Sequence, residues 1–203
     1  MTPATWRKAL KAEHRAARTP FFHAVAADVV AFCANRGERE QVPTTKWGRW
    51  RAVARLTWQS DDFLGLFLYR VRVALFDRGV PIIPRLLHLI CRQVWGLRIG
   101  DFVLLEGGVY VPHGQIVIDG IVKVGHGSVL RPWITLGLVH GGIVGPTLAE
   151  RVSVGTGAKI LGDVKIGAFA KIGANAVVVA DVPAGATAIG VPARVIENGS
   201  TAK

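Results

Sequence analysis

Cysteine, methionine, tyrosine and acidic residues are all scarce in this chain of 203 residues. It has two cysteines, one methionine, two tyrosines, and 14 Asp or Glu against 25 Lys or Arg. Cys33 and Cys91 match neither a metal-ligand spacing nor a disulfide framework, which argues against a zinc ribbon and a disulfide-rich secreted domain. Two unpaired thiols are typical of a reducing compartment, so we expect a cytoplasmic protein.

A long uncharged apolar run is also missing. The most apolar stretch, Phe63 to Trp95, is interrupted by six charged residues. A transmembrane helix needs about 18 apolar residues in a row, so no transmembrane segment is predicted. The first 13 residues carry charges where a signal peptide has its apolar segment, so we expect no signal peptide either.

Apolar residues and positive charge are what the chain does contain. Half of its residues are apolar, enough to bury a core. Residues 1–98 hold 17 Lys or Arg and seven Asp or Glu, whereas residues 99–203 hold eight and seven. Such a basic half can attract nucleic acid, anionic lipid or an acidic partner. It can also be a solvated helical face with some pairing between subunits, and we expect no nucleic-acid partner.

Residues 1–98 predict helices, because apolar residues recur there at helical spacing. Glycine and proline interrupt the pattern, and a carboxylate at Asp61 or Asp62 suits the start of a helix. The predicted helical segments are Thr5–Arg18, Phe21–Asn35, Asp61–Arg78 and Pro84–Trp95.

From Ile99 onward the apolar period becomes six. The fixed aliphatic positions are Ile99, Leu105, Val111, then, after one extra residue, Ile118, Val124, Leu130, Leu136, Leu148, Val154, Ile160, Ile166, Ile172 and Val178. Neither a strand nor a helix has this period, but a coil with three flat faces has it, with one aliphatic pointing inward from each face. The prediction is an α+β protein with a helical region at 1–98, a parallel β-helix of hexapeptide repeats at 99–196 and a C-terminal tail at 197–203.

The six-residue repeat is broken in two places, and each break carries a histidine. A one-residue slip between Val111 and Ile118 contains His113, and a Gly-rich loop, Gly137–Thr147, contains His140. Insertions in a solenoid fall at corners and often build its site. Histidine can take a proton from a hydroxyl near neutral pH, so His113 is the candidate general base and His140 a secondary candidate. Each can instead be a structural residue, the interpretation we favour for His126 in a regular repeat.

Asp61 to Ile196 resembles the serine acetyltransferase branch of the hexapeptide-repeat acyltransferases. The resemblance rests on SDDFLGLFLYRVRVALFDRGVPIIPRLL, PHGQIVIDG, ITLG and GTGAKILGDVKIGAFAKIGANAVVVADVPAGATAIGVPARVI. It implies a left-handed β-helix, homotrimers in which pairing of two trimers stays open, acetyl-CoA as acyl donor in the groove between subunits, and no metal. His113 matches the family's catalytic histidine.

The resemblance also implies residues for the donor. The pantetheine arm would pass the backbone of small-residue corners, and cations would face the CoA phosphates; ordinary surface charge is the alternative for these cations. The implied residues are Gly157, Ala158, Gly173 and Ala174 for the arm, and Lys159, Lys171 and Arg194 for the phosphates.

The departures from the family concern the acceptor. Pro112 stands where the family has an aspartate directly before the catalytic histidine. Arg98 stands where the family has a second aspartate, which orients that histidine. We therefore expect Asp101 or Asp119 to orient His113, and a sugar or metabolite hydroxyl to be favoured over free serine. The alternatives are a serine O-acetyltransferase of cysteine biosynthesis, a non-catalytic interaction protein and a metal-dependent β-helix enzyme using His113, His126 and His140.

Overall fold

The computed structural model describes residues 16–196 together with Ala9 and Glu13. In this part of the chain, helices come first and short strands follow. The helices are α1 (Phe21–Asn35), the short 3-10 helix η1 (Arg39–Gln41), α2 (Lys46–Gln59), α3 (Asp61–Asp77) and α4 (Ile83–Val94). No helix in the described part is long and apolar enough to cross a membrane.

Side-chain caps determine where two of the helices begin. The Thr45 hydroxyl accepts a hydrogen bond from the Gly48 N–H at 3.0 Å at the start of α2. The Ser60 hydroxyl accepts one from the Phe63 N–H at 3.4 Å at the start of α3. Each bond satisfies a backbone donor that has no partner inside its own helix.

The strands form a three-sided prism of stacked coils. Sheet 1 contains β1 (Leu97–Ile99), β3 (Ile116–Ile118), β6 (Thr135–Gly137), β9 (Lys159–Leu161) and β12 (Val177–Val178). Sheet 2 contains β2 (Val103–Leu105), β4 (Ile121–Val124), β7 (Val144–Leu148) and β10 (Lys165–Ile166). Sheet 3 contains β5 (Val129–Leu130), β8 (Ser153–Val154), β11 (Lys171–Ile172), β13 (Thr187–Gly190) and β14 (Ala193–Ile196). All pairings are parallel except β13 with β14, and the fold is a left-handed β-helix.

The aliphatic of each six-residue repeat points into the prism. Every such residue from Ile99 to Val178 is buried, and Leu130, Leu148 and Ile160 are completely so. Each buried Val, Leu or Ile side chain stabilises the fold by about 1.5–3 kcal/mol relative to exposure. The predicted β-helix is therefore confirmed.

The glycine after the aliphatic is explained by the neighbouring coil. A Cβ on Gly155 would lie 2.6 Å from the Ala174 nitrogen, and one on Gly167 would lie 2.3 Å from the Ala184 nitrogen. Any side chain at these positions would push adjacent coils apart. These glycines serve close backbone packing, whereas other residues supply the left-handed corner conformations.

Two arginines of α3 join the helices to the first coil. Arg70 is buried and donates from Nε and Nη2 to Asp28 at 2.9 and 3.2 Å, from Nη1 to the Leu105 carbonyl at 2.6 Å, and from Nη2 to the Glu106 carbonyl at 2.7 Å. Arg72 donates to the Ile99 carbonyl at 3.1 Å and pairs with Asp101. The charges of Arg70 and Asp28 are both buried and hydrogen-bonded. Removing either of these two side chains would therefore leave an uncompensated buried charge.

Apolar contacts complete this junction. Phe32 of α1 packs edge to face with Phe63 of α3 and with Tyr110 of the first coil, at ring distances of 5.1 and 4.8 Å. Such pairs add about 0.5–1.5 kcal/mol beyond the area that they bury. Burial, reinforced by the charge of Asp62, raises the pKa of Tyr110.

The predicted helices agree with the structure at three places. Phe21–Asn35 is α1, Asp61–Arg78 ends one residue beyond α3, and Pro84–Trp95 is shifted by one residue from α4. Helix α2 was not predicted. Most of the predicted helix Thr5–Arg18 and the predicted tail 197–203 lie outside the described residues.

The predicted loop Gly137–Thr147 is shorter in the structure. Only residues 138–143 leave the prism, and Val144–Leu148 form strand β7. The pairing of β7 with β4 shifts register between Ile121 and Lys123, which is a β-bulge. Pro146 lies at this irregularity, where a missing N–H is tolerated.

Candidate active site

The corner between sheets 3 and 1 carries His113 at one end. We call it the histidine edge and define it by its four successive turns. Backbone hydrogen bonds run down it, from Trp133 N–H to the Gln115 carbonyl at 2.7 Å, from Gly157 N–H to Pro132 at 3.0 Å and from Asn175 N–H to Thr156 at 2.9 Å. The turns are Pro112–Gln115, Pro132–Trp133, Thr156–Gly157 and Ala174–Asn175.

The one-residue slip is absorbed in the first turn by three consecutive left-handed residues. His113, Gly114 and Gln115 have φ values of 61°, 56° and 54°, whereas each lower turn has one such residue. A Cβ on Gly114 would lie 2.0 Å from the Trp95 carbonyl oxygen. That same oxygen accepts the Gln115 N–H at 2.8 Å. The turn therefore requires glycine at this position, and its two non-glycine residues are held in a costly conformation.

His113 projects from this turn toward the start of helix α3. Its side chain is 78% exposed, and its Nδ1 lies 3.7 Å from Asp62 Oδ2. This distance suits an ion pair when the ring is protonated but exceeds a hydrogen bond. With Nδ1 facing the carboxylate, Nε2 is left to meet a ligand.

Trp133 presents an exposed side chain at the second turn of the edge. It is 62% exposed and has a φ of 62°, which is unusual for a bulky residue. Lys159 Nζ donates to the Trp133 carbonyl at 2.8 Å and to the Gly157 carbonyl at 2.7 Å. The Lys159 ammonium thus ties the second turn to the third.

A basic groove of about 410 Å³ lies on sheet 1 beside the histidine edge. Arg98, Val117, Thr135 and Lys159 follow one another across the outer face of the sheet in register. The residues that line the groove include three cations and no Asp or Glu. They are Arg92, Gln93, Gly96, Arg98, Gln115, Val117, Trp133, Ile134, Thr135 and Lys159. The groove therefore suits an anionic group.

The residues predicted for the donor all lie on or beside the histidine edge. Gly157 belongs to its third turn and Ala158 follows it, whereas Ala174 belongs to its fourth turn and Gly173 precedes it. Lys159 flanks the edge on sheet 1, Lys171 flanks it on sheet 3, and Arg194 lies on strand β14, which extends sheet 3. Since coils are spaced by about 4.8 Å, the fourth turn lies about 14 Å below His113.

His140 and Asp119 lie at a different corner, between sheets 1 and 2. His140 is exposed on the loop 138–143, and Asp119 Oδ1 accepts the N–H of its neighbour Gly120 at 2.9 Å. One whole face of the prism, at most about 20 Å wide, separates this corner from the histidine edge. The structure therefore brings neither residue to His113 of the same chain.

Two further candidates have structural partners. Asp101 pairs with Arg72 at the junction with the helices. His126 Nδ1 lies 2.6 Å from the Gly107 carbonyl, and because a carbonyl only accepts, this nitrogen carries the proton. In the described residues, no group of three His, Cys, Asp or Glu side chains is placed to hold a metal ion.

The sequence pattern missed Asp62, Trp133 and Arg92 as site residues. Asp62 is 51 residues from His113, and only the docking of α3 brings the two together. The sequence contains a weak indication for Trp133, because a bulky residue stands there at the turn position that glycine, Gly157, occupies in the next coil. Arg92 reaches the groove from α4, which no repeat pattern could place.

A left-handed β-helix with a histidine at a displaced corner defines the class of hexapeptide-repeat acyltransferases. Within it, the chain is 39% identical over 137 residues to the serine acetyltransferase of Synechococcus elongatus, covering 66% of this chain and 56% of that protein. It is 38% identical over 134 residues to that of Helicobacter pylori strain 26695, covering 64% of this chain and 78% of that protein. The chain therefore belongs to the serine acetyltransferase family.

Solved structures agree with this assignment. Soybean serine acetyltransferase complexed with serine has a TM-score of 0.69 and 27% identity, covering 85% of this chain and 68% of that one. A serine acetyltransferase in complex with CoA has a TM-score of 0.68 and 25% identity, covering 96% and 77%. No family model matches the chain. The matched stretch spans little more than half of the Synechococcus relative.

Proposed function

We propose that the protein is an acetyl-CoA-dependent O-acetyltransferase that acetylates the hydroxyl of serine, with His113 as general base. The observation that carries the proposal is the position of His113. It is exposed at the displaced turn, faces Asp62 and stands at the head of the edge that holds the small-residue turns. Membership of the serine acetyltransferase family supports the same reaction.

The reaction requires one proton to pass from the acceptor hydroxyl to His113 and from His113 to the leaving thiolate. His113 Nε2 accepts the proton of the acceptor hydroxyl as its oxygen attacks the thioester carbonyl carbon of acetyl-CoA. The tetrahedral intermediate collapses, the carbon–sulfur bond breaks, and the leaving thiolate takes the proton from the imidazolium. The products are the O-acetyl ester and CoA, and His113 returns to its neutral form.

Asp62 supports the charged intermediate state of this cycle. When His113 holds the proton, its imidazolium lies 3.7 Å from the Asp62 carboxylate, a distance at which the two side chains form an ion pair. The carboxylate also keeps Nδ1 turned away from the acceptor. Asp62 is thus a positioning residue, and it takes the part that the sequence suggested for Asp101 or Asp119.

The histidine edge is the proposed path of the donor. A thin pantetheine arm needs close backbone approach, which the turns at Gly157–Ala158 and Gly173–Ala174 allow. Lys171 and Arg194 are exposed near the lower end, where the CoA phosphates would lie. A CoA complex among the similar structures supports this proposal.

We propose serine as the acceptor, rather than a sugar or another metabolite hydroxyl. The sequence favoured the latter because family residues for serine are missing, but the relatives named above are serine acetyltransferases. The basic groove supplies what the missing residues would have supplied. Arg98 and Arg92 line it beside Gln115, so we assign them to the carboxylate of the acceptor.

A homotrimer would bring the two histidine-bearing corners together. His113 and His140 are separated by a prism face in one chain, but the loop corner of one subunit can meet the histidine edge of the next in a threefold ring. We propose that His140 reaches the site in this way and that its imidazole contacts the acceptor or the developing oxyanion. The cytoplasmic location expected from the cysteines stays a prediction.

The experiment is a thiol-release assay with acetyl-CoA and serine, followed by identification of O-acetylserine. His113→Ala should lower kcat by about 100-fold or more with little change in the KM for acetyl-CoA. His126→Gln is the matched control, because His126 has a structural partner, and it should keep its activity. Full activity of His113→Ala would overturn the proposal, as would inactivity of the unsubstituted chain with serine.

Mixed trimers test the sharing of the site. When His113→Ala and His140→Ala chains are refolded together, a site with two intact histidines forms only if they come from different subunits. Random mixing then restores about a quarter of the native activity, since half of the first subunits and half of the second qualify. A mixture that stays inactive, with His140→Ala inactive alone, would place both histidines in one subunit.

A further inference from the structure

Helix α2 carries an exposed stripe of tryptophans that the proposed reaction does not use. Trp47 and Trp58 are 82% and 91% exposed, and Trp50 is 46% exposed. At 100° per residue these three positions and Ala54 lie within about 80° of one another around the helix axis. The stripe runs for about 16 Å along the helix, opposite the buried face formed by Ala52, Val53 and Leu56.

The apolar stripe continues onto α1. Phe22 is also exposed, and its ring packs edge to face on Trp50 at 5.8 Å. Four large aromatic or apolar side chains therefore share one surface of the helical region. Contiguous exposed apolar surface of this kind usually marks an interaction site.

Positive charge surrounds the stripe. Helix α2 contains four Lys or Arg and no Asp or Glu. The nearby Glu38 is already bonded to Arg36 at 2.9 Å and to Arg55 at 3.4 Å. Arg51 is exposed beside the tryptophans, and Lys46 is exposed at the start of the helix. The partner must therefore offer an apolar layer beneath a negative surface.

We propose that this α2 surface binds the interface of a lipid bilayer that carries anionic headgroups. Tryptophan concentrates at the boundary between headgroups and acyl chains, and basic residues beside it are attracted to anionic lipid. A helix with one apolar stripe and a basic surround lies flat in that boundary. The absence of a spanning helix in the described residues is compatible with such peripheral binding.

Two other occupants fit less well. A second copy of this chain would place the basic surround of one α2 against that of the other, with no acidic residue in α2 to offset the repulsion. A single-stranded nucleic acid binds along a charged groove with stacked bases, whereas this stripe is the convex face of a helix. Both occupants are outcomes that the experiment distinguishes.

The test is co-sedimentation of the full chain with vesicles of phosphatidylcholine, with and without phosphatidylglycerol. The unsubstituted chain should bind the anionic vesicles and lose binding as salt is raised. Substituting both Trp47→Ala and Trp58→Ala should weaken binding by about tenfold or more, since each ring leaves the apolar layer. Arg51→Glu should weaken it while keeping all tryptophans.

Matched controls separate this proposal from its alternatives. Trp133→Ala removes an exposed tryptophan of the β-helix and should bind vesicles like the unsubstituted chain. Each variant is first checked for an unchanged unfolding temperature and unchanged mass by light scattering. Equal binding of the unsubstituted chain to neutral and anionic vesicles would overturn the proposal. A lower mass of the double variant by light scattering would indicate a surface between copies and would also overturn it. So would a double variant that loses binding to a single-stranded oligonucleotide but keeps its binding to vesicles.

Discussion

Two turns of the histidine edge show how one extra residue changes a corner. The lower turn, Thr156–Gly157, makes the corner with one left-handed glycine. The upper turn, Pro112–Gln115, needs three left-handed residues in succession to close over the same prism. The lower turn presents a half-buried threonine and a glycine, whereas the upper turn holds an imidazole out into solvent.

The comparison teaches that strain and function coincide at the upper turn. A non-glycine residue in the left-handed region costs roughly 1 kcal/mol or more, and His113 and Gln115 both bear that cost. The hydrogen bond from the Gln115 N–H to the Trp95 carbonyl holds the turn in place, and glycine at position 114 leaves room for that oxygen. The second and fourth turns bear this cost at one residue each, Trp133 and Asn175, so the upper turn holds one strained residue more than either.

Removing the space at the upper turn should have the largest effect. Gly114→Ala places a Cβ against the Trp95 carbonyl oxygen in a left-handed residue, so the turn must move. We expect a loss of about 2–4 kcal/mol in the free energy of unfolding and a large loss of kcat. Urea denaturation and the thiol-release assay measure the two effects.

The control for this change is Gly79→Ala. Gly79 is also left-handed, with a φ of 78°, but a Cβ there meets nothing within 4 Å. It should cost only about 1 kcal/mol and leave activity intact. If the two substitutions destabilise equally, close contact at the upper turn is unimportant.

Neutralising the carboxylate beside the upper turn should have a moderate effect. Asp62→Asn removes the carboxylate that faces His113 Nδ1 and orients the ring, and we expect kcat to fall roughly tenfold, which corresponds to about 1.4 kcal/mol in the barrier. Asp61→Asn is the control, because Asp61 also begins α3 without contacting His113. Equal losses for both would indicate an effect on the helix rather than on the imidazole.

Two of the three cations that line the groove should distinguish binding of the donor from binding of the acceptor. Arg98→Met should raise the KM for serine by about tenfold, at constant KM for acetyl-CoA, because it removes one charge-assisted hydrogen bond. Lys159→Met breaks the link between the second and third turns and should act on the KM for acetyl-CoA instead. The reverse result would assign Arg98 to the CoA phosphates.

A histidine outside the edge should give the smallest effect. Burial and the nearby charge of Arg72 lower the pKa of His88, so the folded protein resists its protonation while the unfolded chain accepts it. Stability from this residue is therefore full above about pH 6.5 and is lost as pH falls below that value. In the His88→Gln variant the unfolding temperature should therefore depend less on pH between pH 7.5 and about 5.5 than in the unsubstituted chain.

The sequence predicts the β-helix better than it predicts the helical region. The aliphatic of each repeat is inward because every coil repeats the same geometry, so Ile118 or Val154 can be placed without knowing the rest. Helix α2 was not predicted, because Gly48 and the alternation of Trp and Arg obscure the helical spacing of its apolar residues. Its buried face becomes clear only from the packing of Leu56. Its cap at Thr45 was the available signal.

The residues of the candidate site likewise differ in whether the sequence could predict them. His113 could be found because it lies where the repeat loses its phase. Asp62 could not, because the contact depends on how α3 docks on the first coil. The separation of His140 from His113 likewise follows only from counting corners around the prism.

The bonds from Arg70 and Arg72 to the first coil have a consequence for end-to-end stacking of the β-helix. A β-helix ends in an open ring of strand edges, and open edges recruit further strands. Guanidinium groups occupy the carbonyls of Ile99, Leu105 and Glu106, and Asp28 occupies the Gly108 N–H. At the opposite end, the antiparallel strand β14 covers the edge of β13 in sheet 3. A chain shortened to its repeats would lose the upper closure and is expected to grow end to end into fibres.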